Sequence, residues 1–159
     1  MTTSGEPLDD CWYAVATSDA IGNDPSPIEV REVAYVLWRG PDGALIAAAD
    51  RCTHREAKLS LGTVTDGCLQ CPYHGWTFGD AGRCVSVPSS GPHAAIAPAA
   101  HLSPLLLAEQ YGLVWFCPGE PTQSIPYLGV DHNSSFPPLN PSTEVWTCTV
   151  TRTIETILP

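Results

Sequence analysis

Two short segments, each carrying one cysteine and one histidine, constrain this chain more than any other feature. Cys52-Thr53-His54 is followed, after sixteen intervening residues, by Cys71-Pro72-Tyr73-His74. Each segment comes directly after a predicted strand, so both are expected to lie on loops. Thiolates and imidazoles are ligands of zinc and of iron, so the pair of segments predicts a metal site.

The order of the four ligands separates the two metals. Zinc fingers usually group cysteine with cysteine and histidine with histidine, whereas here each segment supplies one of each. This order favours a two-iron cluster with both cysteines on one iron and both histidines on the other. A zinc-binding interaction module remains the alternative.

Charge indicates which partners the chain can take. Seven basic and seventeen acidic residues give a net charge of −10, which argues against nucleic acid and anionic membrane as partners. Residues 1–50 carry a net −7, whereas residues 51–84, which contain both segments, carry a net +1. A slightly positive surface on an acidic body could accept an acidic protein.

From the sequence we expect neither a signal peptide nor a membrane span. Its first ten residues lack the basic and apolar parts of a signal peptide. Its most apolar stretch, residues 94–108, is interrupted by Pro98, His101 and Pro104 and falls short of the ~20 apolar residues that a bilayer requires. We therefore expect a cytoplasmic protein, in which seven cysteines are more plausible as metal ligands or core residues than as a disulfide framework.

Dense turn signals predict an all-β fold of small antiparallel sheets. Glycine-containing turns at residues 40–43, 79–82 and 110–112 separate pairs of β-branched and aromatic runs. The runs flanking these turns are residues 33–39 and 45–50, 76–78 and 83–87, and 105–109 and 113–117, with further strands expected at 12–16 and 68–70. We expect one domain over residues 10–118. A proline-rich arm should follow over residues 119–159 and end in a strand at 144–157.

Beyond the four ligands, a longer pattern resembles the Rieske [2Fe–2S] domain of bacterial Rieske non-haem iron oxygenases. The second segment continues as Gly75-Trp76-Thr77-Phe78, and Gly82-Arg83-Cys84, Val87-Pro88-Ser89 and residues 111–116 follow. The resemblance covers residues 12–118 and implies three antiparallel sheets, with two hairpin loops holding a [2Fe–2S] cluster. It implies that Cys52 and Cys71 bind the buried iron, that His54 and His74 bind the exposed iron, and that residues 86–89 form a third, shielding loop.

The same resemblance implies an electron-transfer role. A reductase or ferredoxin would be the electron donor, and the mononuclear iron of a catalytic domain would be the acceptor, reached across a trimer in full family members. Residues 152–158 resemble the start of that catalytic domain, and the chain ends before any of its iron ligands. We therefore expect an oxidoreductase component without a complete oxygenase active site. It would be either a truncated subunit or a separate module, and a stand-alone Rieske-type ferredoxin is the alternative.

The resemblance also distinguishes this chain from the Rieske proteins of cytochrome bc complexes. Those carry an extra cysteine in each loop, where this chain has Ala57 and Tyr73, so that disulfide cannot form. They also place a serine and a tyrosine where this chain has Trp76 and Phe78, which offer no hydroxyl to the cluster sulfurs. Fewer donors stabilise the reduced state less, which implies a potential of about −150 mV.

The remaining cysteines and histidines receive ordinary structural interpretations. We expect the other five cysteines to be structural thiols and His93, His101 and His132 to be solvated loop residues. Trp76 follows the second segment so closely that its ring is also a candidate for packing against the cluster. The other thiols are Cys11, Cys68, Cys84, Cys117 and Cys148.

Overall fold

The computed structural model describes residues 8–91 and 94–127 and shows an all-β protein. Apart from six single turns of 3-10 helix, the regular structure of these residues is ten short strands. This confirms the predicted fold class. The strands are β1 (Tyr13–Thr17), β2 (Ser26–Val30), β3 (Val33–Arg39), β4 (Leu45–Ala49), β5 (Thr63–Thr65), β6 (Cys68–Gln70), β7 (Thr77–Phe78), β8 (Cys84–Ser86), β9 (Leu106–Gln110) and β10 (Leu113–Cys117).

The strands form three separate antiparallel sheets. The first has the order β1-β10-β9, the second β2-β3-β4 and the third β5-β6-β7-β8. Because strands in the second and third sheets follow one another by hairpins, successive connections emerge at opposite ends of each sheet. The turn after β3 contacts the turn after β5, and His54 of the loop after β4 lies beside His74 of the loop after β6. The loops after β4, β6 and β8 thus lie at one end of the molecule, and both Cys-His segments are at that end.

One strand separates two hydrophobic cores. Tyr35 and Leu37 of β3 pack with Phe116 of the first sheet, and Val36 and Trp38 pack with residues of the third sheet. Side chains alternate between the two faces of a strand, so a strand covered on both faces reads as an almost unbroken apolar run. β4 divides in the same way, with Ala47 in one core and Ile46 and Ala48 in the other.

Two strands, β2 and β5, were not anticipated from the sequence. β2 and β3 are joined by Arg31-Glu32, both with positive φ (53° and 65°), a turn usually marked by asparagine or glycine. β5 and β6 are joined by Asp66-Gly67, also with positive φ (50° and 73°). Here the hairpin signal is present in the sequence, but the strand that precedes it has only three residues.

The first residues of the predicted arm run beside the beginning of the domain. The amide of Gly119 donates to the carbonyl oxygen of Asp9 at 2.7 Å, and the indole Nε1 of Trp12 donates to the carbonyl oxygen of Gln123 at 3.0 Å. The predicted strand at 144–157 lies outside the described residues. Within the described part of the chain, no helix is long and apolar enough to cross a bilayer.

The Asp66-Gly67 turn makes a close contact with the turn between β3 and β4, which gives a stability prediction. A Cβ on Gly67 would overlap the backbone of Gly40 and Pro41, whereas one on Gly43, which also has positive φ, would meet nothing. Gly43→Ala should cost only the left-handed backbone penalty, roughly 1–2 kcal/mol. Gly67→Ala should add a steric clash and cost more than ~3 kcal/mol in total.

Urea unfolding of the two variants, compared with the unmodified chain, measures this difference. Equal losses of stability in Gly43→Ala and Gly67→Ala would contradict the packing of the two turns against each other.

Candidate metal centre

The two Cys-His segments lie on loops with the same backbone frame. The first Cys-His loop is residues 51–58, after β4, and the second is residues 71–76, between β6 and β7. The amide of Cys52 donates to the carbonyl oxygen of Ala57 (2.9 Å), and the amide of Cys71 donates to that of Trp76 (2.8 Å). In each loop the cysteine carbonyl accepts a hydrogen bond from the fourth residue after it. The loops are therefore two copies of one turn.

The fourth residue of each turn has a left-handed backbone. It is Glu56 in the first loop (φ 55°) and Gly75 in the second (φ 71°). Glycine adopts this conformation without penalty, whereas a glutamate is strained there. The Glu56 carboxylate lies 3.6 Å from the guanidinium of Arg51, but both side chains are exposed, so this ion pair contributes little.

The two cysteines meet inside the protein. Cys52 is 2 % exposed and Cys71 is 3 % exposed, and their thiols are within hydrogen-bonding contact. Burial, reinforced by the neighbouring Cys71 thiol and partly offset by the backbone amides of His54 and Arg55, raises the pKa of the Cys52 thiol to about 11. A bound metal ion deprotonates such thiols outright.

The two histidines meet at the surface. His54 and His74 are exposed, and their ring centroids lie 4.8 Å apart with the rings edge to face. Partial desolvation of the ring is the main cause that lowers the pKa of His54, and the nearby charges of His74 and Arg55 lower it further. A neutral imidazole is the form that binds a metal.

Aromatic rings flank both imidazoles. The indole of Trp76 is stacked on His54 at 4.7 Å with 3° between the planes, and the ring of Tyr73 lies 3.9 Å from that of His74. The stack places Trp76 beside one of the two imidazoles, and its packing against a cluster stays a prediction. Pro88 of the third loop lies against the second Cys-His loop, since a Cβ added to Gly75 would lie 3.3 Å from Pro88 Cγ.

Three polar residues that the sequence analysis missed hold the first loop in place. Asp50, which is buried, accepts hydrogen bonds from the amide (2.7 Å) and the hydroxyl (2.6 Å) of Ser60, so it ties the two ends of the loop together. Thr53 Oγ1 donates to the carbonyl oxygen of Ala100 at 2.8 Å. Buried polar groups need such partners, but nothing in a single sequence says which residues will supply them.

Among the described residues, Cys68, Cys84 and His101 have contacts outside the two pairs. Cys68 is half-buried in β6, close to Gly79. The amide of Cys84 donates to Nδ1 of His101 at 3.0 Å, and His101 is half-buried, so its prediction as a solvated residue was wrong. His93, His132 and Cys148 lie outside the described residues.

The donor set fits a two-iron cluster. Thiol lies with thiol in the interior, and imidazole lies with imidazole at the surface, so the two kinds of ligand are separated along the direction from core to solvent. This is the ligand distribution that mixed-ligand [2Fe–2S] centres need, with sulfur donors on one iron and nitrogen donors on the other.

Comparison with known proteins agrees with this chemistry. A family model for the Rieske [2Fe-2S] domain matches residues 11–106. Chlorophyllide a oxygenase from Arabidopsis thaliana is 37% identical over 76% of this chain and 22% of its own length. The vanillate O-demethylase oxygenase subunit of Pseudomonas sp. (strain HR199 / DSM 7063) is 36% identical over 74% of this chain and 32% of its own.

Solved structures show the same relationship. Dicamba monooxygenase superimposes with a TM-score of 0.69 at 32% identity, over 77% of this chain and 40% of that one. This chain thus spans between about a fifth and a third of the length of the curated relatives named above. The matches confirm the resemblance to Rieske oxygenase components, and the matched domain implies a [2Fe–2S] cluster with an electron-transfer role. From its loops and its matches alike, the chain belongs to the Rieske [2Fe-2S] domain family.

Proposed function

We propose that this chain is the electron-transfer domain of a Rieske oxygenase system. It receives single electrons from a reductase or ferredoxin and delivers them to the mononuclear iron of a catalytic domain. The observation that supports this most is the separation of ligands: a buried cysteine pair beneath an exposed histidine pair, at the tips of two matching loops.

Each residue has a distinct part in this proposal. Cys52 and Cys71 would hold the inner iron, and His54 and His74 would hold the outer iron. When bound, the [2Fe–2S] cluster supplies one-electron redox chemistry. The buried cysteines keep their end of the site free of water, and the exposed imidazole edges are where a partner protein can make contact.

Charge at this end of the molecule supports an acidic electron donor. We define the cluster face as residues 51–58, 71–76 and 87–91, which contain only one of the seventeen acidic residues, Glu56. Arg55 and Lys58 are exposed and form no ion pair within the described residues, whereas Arg31 and Arg39 are each paired with an acidic residue. Unpaired cations on an otherwise acidic protein steer an acidic partner to this face.

The wider assembly follows from the same proposal. We assign the cluster domain to residues 10–118 and the beginning of an attached region to residues 119–159. If the chain is part of an oxygenase, the resemblance implies a trimer in which the acceptor iron would lie in a neighbouring subunit. Cytoplasmic location stays a prediction.

Replacing single ligands should abolish or transform the cluster signal. The oxidised chain should be red-brown and the reduced chain should give a low-temperature EPR signal, with iron and sulfide present in equal amounts. His74→Ala and Cys71→Ala should lose this signal or change it radically, because each removes a ligand. The matched controls His101→Gln and Cys68→Ala should keep it, because neither residue lies with the two pairs. A colourless chain with stoichiometric zinc, or an unchanged signal in His74→Ala, would refute the ligand assignment.

The reduction potential should lie near the lower end of the Rieske range. Trp76 and Phe78 offer no hydroxyl, and the nearby Thr77 hydroxyl donates to the carbonyl oxygen of Gly75 at 3.1 Å. With little hydrogen bonding from hydroxyls to sulfide, we expect a midpoint of about −150 mV. An EPR-monitored redox titration measures it, and a midpoint above zero is incompatible with this explanation.

The cluster face should make electron delivery sensitive to salt. Reduction by an acidic plant-type ferredoxin, whose potential of about −400 mV makes the transfer favourable, can be followed by stopped-flow absorption. Replacing both Arg55 and Lys58 with Gln should lower the second-order rate constant about tenfold at low salt and flatten its salt dependence.

The control for this experiment is Arg83→Gln. Arg83 is also exposed and forms no ion pair within the described residues, but it lies in the turn between β7 and β8, at the opposite end of the sheet. An equal loss of rate per charge removed in Arg83→Gln and in the double variant would show that overall charge, rather than the cluster face, guides the donor.

A further inference from the structure

The two histidines of the site have different surroundings. The indole of Trp76 lies parallel to His54, with 3° between the planes and 4.7 Å between the centroids. Among the residues that the structure describes, His74 has no parallel ring against it: its aromatic neighbour Tyr73 is tilted by 41° and is 61% exposed. One imidazole is therefore stacked against a neighbouring ring, and the other lies beside a ring that is largely in water.

The stack joins the two loops. Trp76 belongs to the second Cys-His loop and His54 to the first, so the contact crosses the site from one turn to the other. In the shared backbone frame, the position of Trp76 corresponds to Ala57 in the first loop, because each accepts the hydrogen bond from its own cysteine amide. The alanine methyl offers no ring to stack on, so the first loop gives His74 no equivalent contact.

Trp76 is itself held firmly. Its side chain is partly buried against the core that contains Cys71 and Phe78, and its carbonyl oxygen accepts the hydrogen bond from the Cys71 amide. A ring anchored at its base can restrict the rotation of the imidazole stacked on it, and offset or parallel aromatic contacts have a defined geometry.

We propose that Trp76 is a positioning residue for His54: it fixes the plane of that imidazole across the two loops and makes the two histidine ligands inequivalent. The inference rests on the proposed function in one respect, that His54 and His74 bind the outer iron. It adds that His54 is the histidine held by a side chain of the other loop, and that this side chain is Trp76.

Pulsed EPR of the reduced chain, labelled with ¹⁵N-histidine, tests the proposal by measuring the nitrogen couplings of the two ligands separately. Trp76→Leu keeps apolar volume on the core but removes the flat ring, so it should shift one nitrogen coupling and leave the other. Cluster loss to an iron chelator should become about three- to tenfold faster, the range expected for one aromatic contact. Trp76→Phe restores a flat ring and should recover most of both properties.

The control Trp12→Leu removes an indole that bonds to Gln123, in the segment after the domain, and should change neither property. If Trp76→Leu and Trp76→Phe behave alike, or both match the unmodified chain, the positioning role is overturned while the ligand assignment stands. If the unmodified chain shows no pair of histidine couplings, the proposed function falls and this inference falls with it. Loss of the cluster in Trp76→Leu but not in Trp76→Phe supports the inference.

Discussion

Two sulfur atoms must be kept dry while two imidazoles, only a few residues away along the chain, stay in contact with water. The fold achieves this by bringing the tips of two turns together above the core, so that Cys52 and Cys71 point inward and His54 and His74 outward. The histidine follows its cysteine by two residues in one loop and by three in the other, although the backbone frame is the same. The duplicated turn therefore accounts for the segregation of sulfur from nitrogen donors without any symmetry in the motif itself.

Local patterns in the sequence predicted much of this architecture. Val33–Arg39 reads as a strand because both faces are buried, and the ligand loops stand out because cysteine and histidine at close spacing have few other uses. The Arg31-Glu32 turn could not be recognised, because neither residue is one of those that usually tolerate positive φ. The Asp66-Gly67 turn carried a readable signal, but three-residue strands offer too little alternation to confirm it.

The support of the site was harder to foresee, because it depends on contacts between segments that are distant in sequence. Asp50 and Ser60, Thr53 and Ala100, and His101 and Cys84 each form a hydrogen bond over ten to forty-seven residues. Trp76 was a candidate by position alone, and its stacking on His54 rather than on a neighbour in its own loop is a tertiary fact. A single sequence indicates which side chains can bind a metal, whereas tertiary contacts determine which of them are fixed in position.

The two-sided burial of β3 has a consequence for how the domain loses its structure. Val36 and Trp38 belong to one core, and Tyr35 and Leu37 belong to the other. Displacing β3 to expose one core therefore also removes packing from the other. Opening that exposes only one of the two cores is thus disfavoured, and the amides of β3 and β4 should exchange with solvent only through opening of the whole domain. Loss of iron and loss of the fold then become separate events: the first is governed by two surface turns, the second by a strand shared between two interiors.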